Sequence, residues 1–149
     1  MARLALFALL LTALASCDAE NAGDAALSTF DGLSGDPALL AGTWTWERSV
    51  VCGRAGGCLE TTPASAGRAE VLTFTHTPET SSHNGTVAGF FNGYDVGPTT
   101  YLVEYGDAGE YSLALGEGSG YNQFGVDGDR LVISSVAVDG EETTYRRQR

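Results

Sequence analysis

No lysine occurs in this chain of 149 residues, so its positive charge rests on eight arginines against 19 Asp and Glu, for a net charge of −11. Such a surface repels phosphate backbones, and nucleic acid is not an expected partner. The missing lysines have two readings: a biased codon supply favouring Ala, Gly and Arg, or adaptation to high salt, where acidic surfaces keep proteins soluble. Histidine is nearly as scarce, with His76 and His83 the whole supply. Nucleophilic catalysis needs a base held against a nucleophile by a third group. Here His83 sits in the polar turn "SSHNG" and His76 ends a strand-like run. No catalytic residues are assigned, and the chain is read as a non-enzyme. The one metal set on offer, His76 and His83 with Glu79, is set aside, so neither metal nor other cofactor is expected. "GSG" at 118–120 is followed by no helix and no lysine, and is not a phosphate loop.

From Gly42 onward a helical period is lacking as well, and strand-like alternation takes its place. "TWTWERSVV" sets Trp44, Trp46, Arg48 and Val50 on one face, and "AEVLTFTH" sets Leu72, Phe74 and His76 against Val71, Thr73 and Thr75. "TVAGFF" is apolar on both faces, with Gly89 easing a bend. "TTYLVEY" aligns Tyr101, Val103 and Tyr105, and "EYSLALG" aligns Tyr111, Leu113 and Leu115. "YNQFGV" is a weaker signal. "DRLVISSVAV" changes phase after Ile133, which predicts a bulge, and "ETTYRRQ" closes the chain. Between these runs lie "HNG", "NG", "GDAG", "DGD" and "DG", whose Asn and Gly tolerate the positive φ of tight hairpins. No stretch is long enough for crossover helices, which excludes parallel α/β architectures. The expected fold is all-β, its strands either closing into an eight-stranded antiparallel up-and-down barrel or splitting into a sandwich, and closure has the advantage that it removes the exposed edges.

The leader is of another kind. Arg3 is followed by "LALFALLLTAL", eleven residues that are too few to span roughly 30 Å of hydrocarbon, and then by small residues before Cys17. "LASC" resembles the lipobox of bacterial lipoproteins, which implies diacylation of Cys17, cleavage before it and a membrane as partner. Two acyl chains anchor stably where one does not. In some lineages an Asp after that cysteine, here Asp18, retains such proteins at the inner membrane, so the choice of membrane stays open. With Cys17 lipidated, Cys52 and Cys58 remain as a pair around "GRAGG"; in an oxidising compartment they read as a disulfide, free thiols being the alternative. The expected organisation is a signal peptide at 1–16, a lipidated cysteine with a flexible tether at 17–38, and one barrel domain at 39–149 in the cell envelope. Within the tether, "DPALLA" has an Asp36 cap and a Pro37 start for a short helix.

"LAGTWTWERS", "TTPASAG", "AEVLTFT", "DGDRLVISS" and "DGEETTYRR" together resemble small lipocalin-like domains of bacterial lipoproteins, over about Leu39 to Arg147. The resemblance implies a calycin barrel whose closed end carries Gly42 and Trp44, with Arg146 or Arg147 packed over the indole. The Thr-Asp-Tyr turn of secreted lipocalins is absent. The implied activity is non-catalytic binding of a small apolar ligand, with Phe74, Phe91, Tyr101, Tyr111 and Leu113 as candidate contacts. The alternative is a solid barrel whose disulfide loop and the loop through Pro63 and Gly67 engage another envelope protein or act as an inhibitor.

Overall fold

Alternating side chains and Asn/Gly turns make strands, and ten of them form among the described residues: β1 (Gly42–Gly53), β2 (Gly57–Thr61), β3 (Val71–His76), β4 (Gly85–Phe91), β5 (Tyr94–Asp95), β6 (Thr99–Tyr105), β7 (Tyr111–Leu115), β8 (Tyr121–Asp127), β9 (Arg130–Ser135) and β10 (Glu141–Arg147). They come from a computed structural model that describes residues 30, 32–53, 56–77, 83–106, 110–135 and 140–149. The signal peptide expected at 1–16, Cys17, Glu79 and the bulge expected toward Val136 and Val138 lie outside the described residues.

Eight of the strands close a barrel in the order β1-β3-β4-β6-β7-β8-β9-β10, each antiparallel to its neighbour, with β10 returning to β1. The closing seam runs from Trp44 opposite Arg147 to Val51 opposite Glu141. The other two strands are additions. β5 pairs with β4, and β2 pairs with the distal half of β1, where Cys52 stands opposite Cys58 and the two form a disulfide. What the sequence presents as a loop after the second cysteine is therefore a hairpin strand. A single turn, α1 (Pro63–Ala66), follows it, capped by Thr62, whose Oγ1 accepts from the Ser65 amide at 3.3 Å.

The simple alternation of β1 breaks at Glu47. The pairing with β10 shifts register between Trp46 and Arg48, so two residues there oppose one. Trp44 and Trp46 point inward as expected. Beyond the bulge the phase inverts: Ser49 is buried and Arg48 turns out to meet Glu60 at 3.3 Å. Elsewhere the period of two holds, giving the inward set Leu72, Phe74, Val87, Tyr101, Leu113, Phe124, Val126, Leu131, Ile133 and Tyr145. β8 reads weakly in the sequence because its outward Gly125 carries no side chain. A Cβ there would come within 2.5 Å of Leu33.

Leu33 belongs to a segment whose composition suggests only a tether. Here it lies against the barrel, with Ser34 exchanging two backbone hydrogen bonds of 2.8 Å with Val126 where β8 extends past its partner β7. A 3-10 turn follows at Pro37–Leu40, capped by Asp36, whose Oδ1 accepts from the Ala38 amide at 2.9 Å. This turn closes one end. Leu40 is fully buried, and its carbonyl accepts from Trp44 Nε1 at 2.7 Å. Arg147 lies 4.1 Å from the Trp44 ring and donates to the carbonyls of Leu39 and Ala41 at 2.6 and 2.5 Å. Gly42 makes room for that guanidinium, since a Cβ would come within 2.6 Å of it. Arg146 instead faces out and pairs with Glu47 at 2.5 Å.

Candidate functional site

With one end shut by the 3-10 turn and Arg147, the opposite end of the barrel is the place for a site. There β4 turns at Asn92, which adopts φ 50°, and at Gly93 into β5, while β7 turns through Gly116–Gly120 into β8. Between these two hairpins lies an open cavity of about 600 Å³. That volume is within the usual range for small-molecule sites, roughly 300–1,000 Å³. Its apolar lining is Phe91, Val96 and Leu115, with Tyr94 and Tyr121 alongside; Asn122 and Ser135 supply polar edges. The ionisable groups of the lining, the two phenols aside, are Asp95 and Glu117, both acidic.

A layer of polar side chains crosses the barrel interior on the Glu141 side of the packed core. Trp46 Nε1 donates to Ser49 Oγ at 3.1 Å, Ser49 and Thr143 hydroxyls share a bond of 3.0 Å, and Thr143 donates to Asn92 Oδ1 at 3.1 Å. Asn92 Nδ2 in turn donates to Glu141 Oε2 at 3.0 Å. The same layer holds Glu70, 2 % exposed, whose carboxylate accepts from Arg68 at 2.8 Å while Arg68 reaches over the Trp46 ring at 5.8 Å. Each buried polar group here needs such a partner, because an unmet one costs its full desolvation. One goes without. The hydroxyl of Tyr145, a residue with no exposed surface, has no hydrogen-bond partner among the described residues. Burial first, then the charges of Glu70 and Glu141, push its pKa well above the ordinary phenol value, so it stays protonated.

The residues singled out as ligand contacts are spread over three places. Phe91 lines the cavity. Phe74, Tyr101 and Leu113 fill the packed part of the barrel, with Phe74 edge-on to Tyr101 at 5.2 Å. The Tyr101 hydroxyl lies 3.4 Å from His76 Nδ1 and 3.5 Å from the Pro37 carbonyl, and burial pushes its pKa up to about 12. Tyr111 stands near the shut end, against Tyr105 at 4.9 Å and beside Gly35. No family model, curated protein or solved structure matches this chain. The site is read from its own geometry.

Among the described residues no three His, Cys, Asp or Glu side chains converge as a metal site. Asn84, in the "HNG" turn, uses its side-chain oxygen to accept from the Val103 amide at 2.6 Å, which ties the turn to β6. Sequence reasoning missed the polar layer, although part of its signal was present. In "EETTYRR" alternation alone sets Glu141, Thr143 and Tyr145 on one face, and Glu70 stands two residues before the inward Leu72.

Proposed function

We propose that this chain is a lipid-anchored protein of a bacterial cell envelope, tethered through Cys17, whose barrel mouth binds a small, largely apolar molecule without turning it over. The cavity between the β4–β5 and β7–β8 hairpins carries the binding part of this reading: it is open, of ligand size and lined by Phe91, Val96 and Leu115. A barrel of eight strands suits it, being just wide enough to hold one small ligand or to be filled by side chains. In this chain the Trp44 side is filled and the Glu141 side is the cup. The anchoring part rests on "LASC" after its apolar run. The calycin likeness is supported by Gly42, Trp44 and Arg147 meeting at the shut end.

Native mass spectrometry of the protein from its own host tests the cup. A small molecule should copurify, and Leu115→Trp, which fills the cavity, should remove it; repeated absence of any bound mass would refute the cup. Cys17→Ser should abolish palmitate labelling, and undiminished labelling would refute the anchor.

The loop-mediated alternative is favoured by one observation. Val51 and Leu59 face each other across the β1–β2 hairpin and are 38 % and 70 % exposed, an apolar pair beside the disulfide. If the hairpin is a contact surface, Leu59→Asp should eliminate a cross-linked envelope partner while leaving any copurifying small molecule in place.

A further inference from the structure

We infer that the cup selects a basic amphiphile, its apolar body lying in the mouth cavity and a single protonated amine directed to Glu141 and the hydroxyl of Tyr145. The inference rests on the cup reading above and names the chemistry of its ligand. Three observations carry it. The cavity lining includes two carboxylates, Asp95 and Glu117, and no arginine or histidine. Its polar edge leads to a further carboxylate, because Ser135, in the lining, accepts from the Glu141 amide at 2.9 Å, and Asn92, adjacent to Phe91, donates to the Glu141 side chain. The inner layer then holds two carboxylates with one guanidinium. Glu70 has Arg68 at 2.8 Å, whereas the side-chain partner of Glu141 is the neutral amide of Asn92. Among the described residues this layer is thus one negative charge in excess, with Glu70 buried and Glu141 half-buried toward the mouth.

The third observation is Tyr145. Its hydroxyl is wholly buried and unpartnered among the described residues, and it lies within the fields of Glu70 and Glu141. A phenol held protonated between carboxylates offers oxygen lone pairs to an incoming N–H donor. A primary ammonium has three such donors and one positive charge. It would neutralise the excess on Glu141 and supply the missing partner of Tyr145. A carboxylate headgroup would add a like charge, and a neutral alcohol would leave the excess uncompensated. The long-range field points the same way, since a chain of net charge −11 draws cations toward it.

The test uses the full chain held in phosphatidylcholine nanodiscs, titrated at pH 7 with octylamine, octanol and octanoate and followed by intrinsic tryptophan fluorescence against empty nanodiscs. Octylamine should bind about tenfold or more tighter than octanol, with octanoate weakest, as expected where charge-assisted hydrogen bonds replace neutral ones. Glu141→Gln should bring octylamine down to the octanol level while leaving octanol unchanged. Tyr145→Phe should weaken octylamine severalfold, again without touching octanol. If the unaltered protein binds octylamine and octanol equally, or octanoate best, the amine inference is overturned and the cup stands. If none of the three binds, the cup falls with it. Should Glu141→Gln lose octanol too, the ranking of the three probes on the unaltered protein decides alone.

Discussion

Replacing Tyr145 with Phe should make this protein more stable, against the usual direction of a core substitution. The ring packs at the centre of the barrel, opposite Trp46 on one side and Leu131 on the other, and has no exposed surface. Phe keeps that ring and opens no cavity of consequence. What it removes is a hydroxyl taken out of water and given no hydrogen-bond partner among the described residues. Leaving such a group unsatisfied costs about 1–3 kcal/mol, so the variant should gain about 1–2 kcal/mol once slight loss of contact is subtracted. For a domain of this size that is a rise in Tm of roughly 3–10 °C, and in urea a higher midpoint with an unchanged slope. Tyr101→Phe is the internal control, because its hydroxyl lies within reach of His76 and the Pro37 carbonyl. That change should cost about 0.5–1.5 kcal/mol, the net worth of an ordinary hydrogen bond. A Tyr145→Phe protein less stable than its parent by 1 kcal/mol or more, roughly the worth of one hydrogen bond, would show that the hydroxyl is partnered. It would also remove one of the three supports of the amine inference.

Trp44→Ala should cost about 3–5 kcal/mol in a denaturation midpoint, since it empties the shut end and strands both Arg147 and the Leu40 carbonyl. Reduction of Cys52–Cys58 should cost about 2 kcal/mol at most, by the chain-entropy model for so short a ring. Hydrogen exchange should rise in the β1–β2 hairpin and not in β8 or β9, because the disulfide crosses a strand addition outside the closed barrel. Alkaline pH should destabilise the fold: Tyr101 ionises near the ordinary phenol value of 10.0 when unfolded but only at about 12 when folded. Its contribution is fully present below the unfolded value and is lost as pH rises from there to the folded one, a fall on the order of 2–3 kcal/mol. In Tyr101→Phe the urea midpoint should decline less steeply over that interval. Equal slopes would contradict the assigned burial.

Much of the barrel was legible because its signals are local. Alternation in "VLTFTH", "YLVEY" and "RLVIS" marks which side chains leave the strand on the core side, and the Asn/Gly turns dictate antiparallel succession. The pairing of Cys52 with Cys58 was legible for the same reason, with only a short glycine-rich stretch between them. The β1 bulge was not legible. "TWTWERSVV" alternates well enough in isolation, and only closure of the seam, where Trp46 must face Tyr145 and Ser49 must face Thr143, forces an extra residue at Glu47. The ligand contacts were legible only in part, because alternation says which residues point inward and nothing about their height in the barrel. Phe91 and Phe74 share an inward pattern, yet one lines the mouth and the other fills the body.

By itself the amino-acid sequence determined the β class, the strand succession and the acidic surface, all of which follow from short-range pattern and composition; that Arg147 rather than Arg146 packs over Trp44 was settled by the structure. Only the tertiary structure decided that the segment around Leu33–Leu40 seals one end, that the Tyr145 hydroxyl lies near carboxylates with no hydrogen-bond partner among the described residues, and that the cavity opens between two hairpins. These depend on residues brought together from positions as distant as Ser49 and Thr143 or Asn92 and Glu141, and the height at which a closed barrel stacks its inward side chains is set by strand register around the whole circuit.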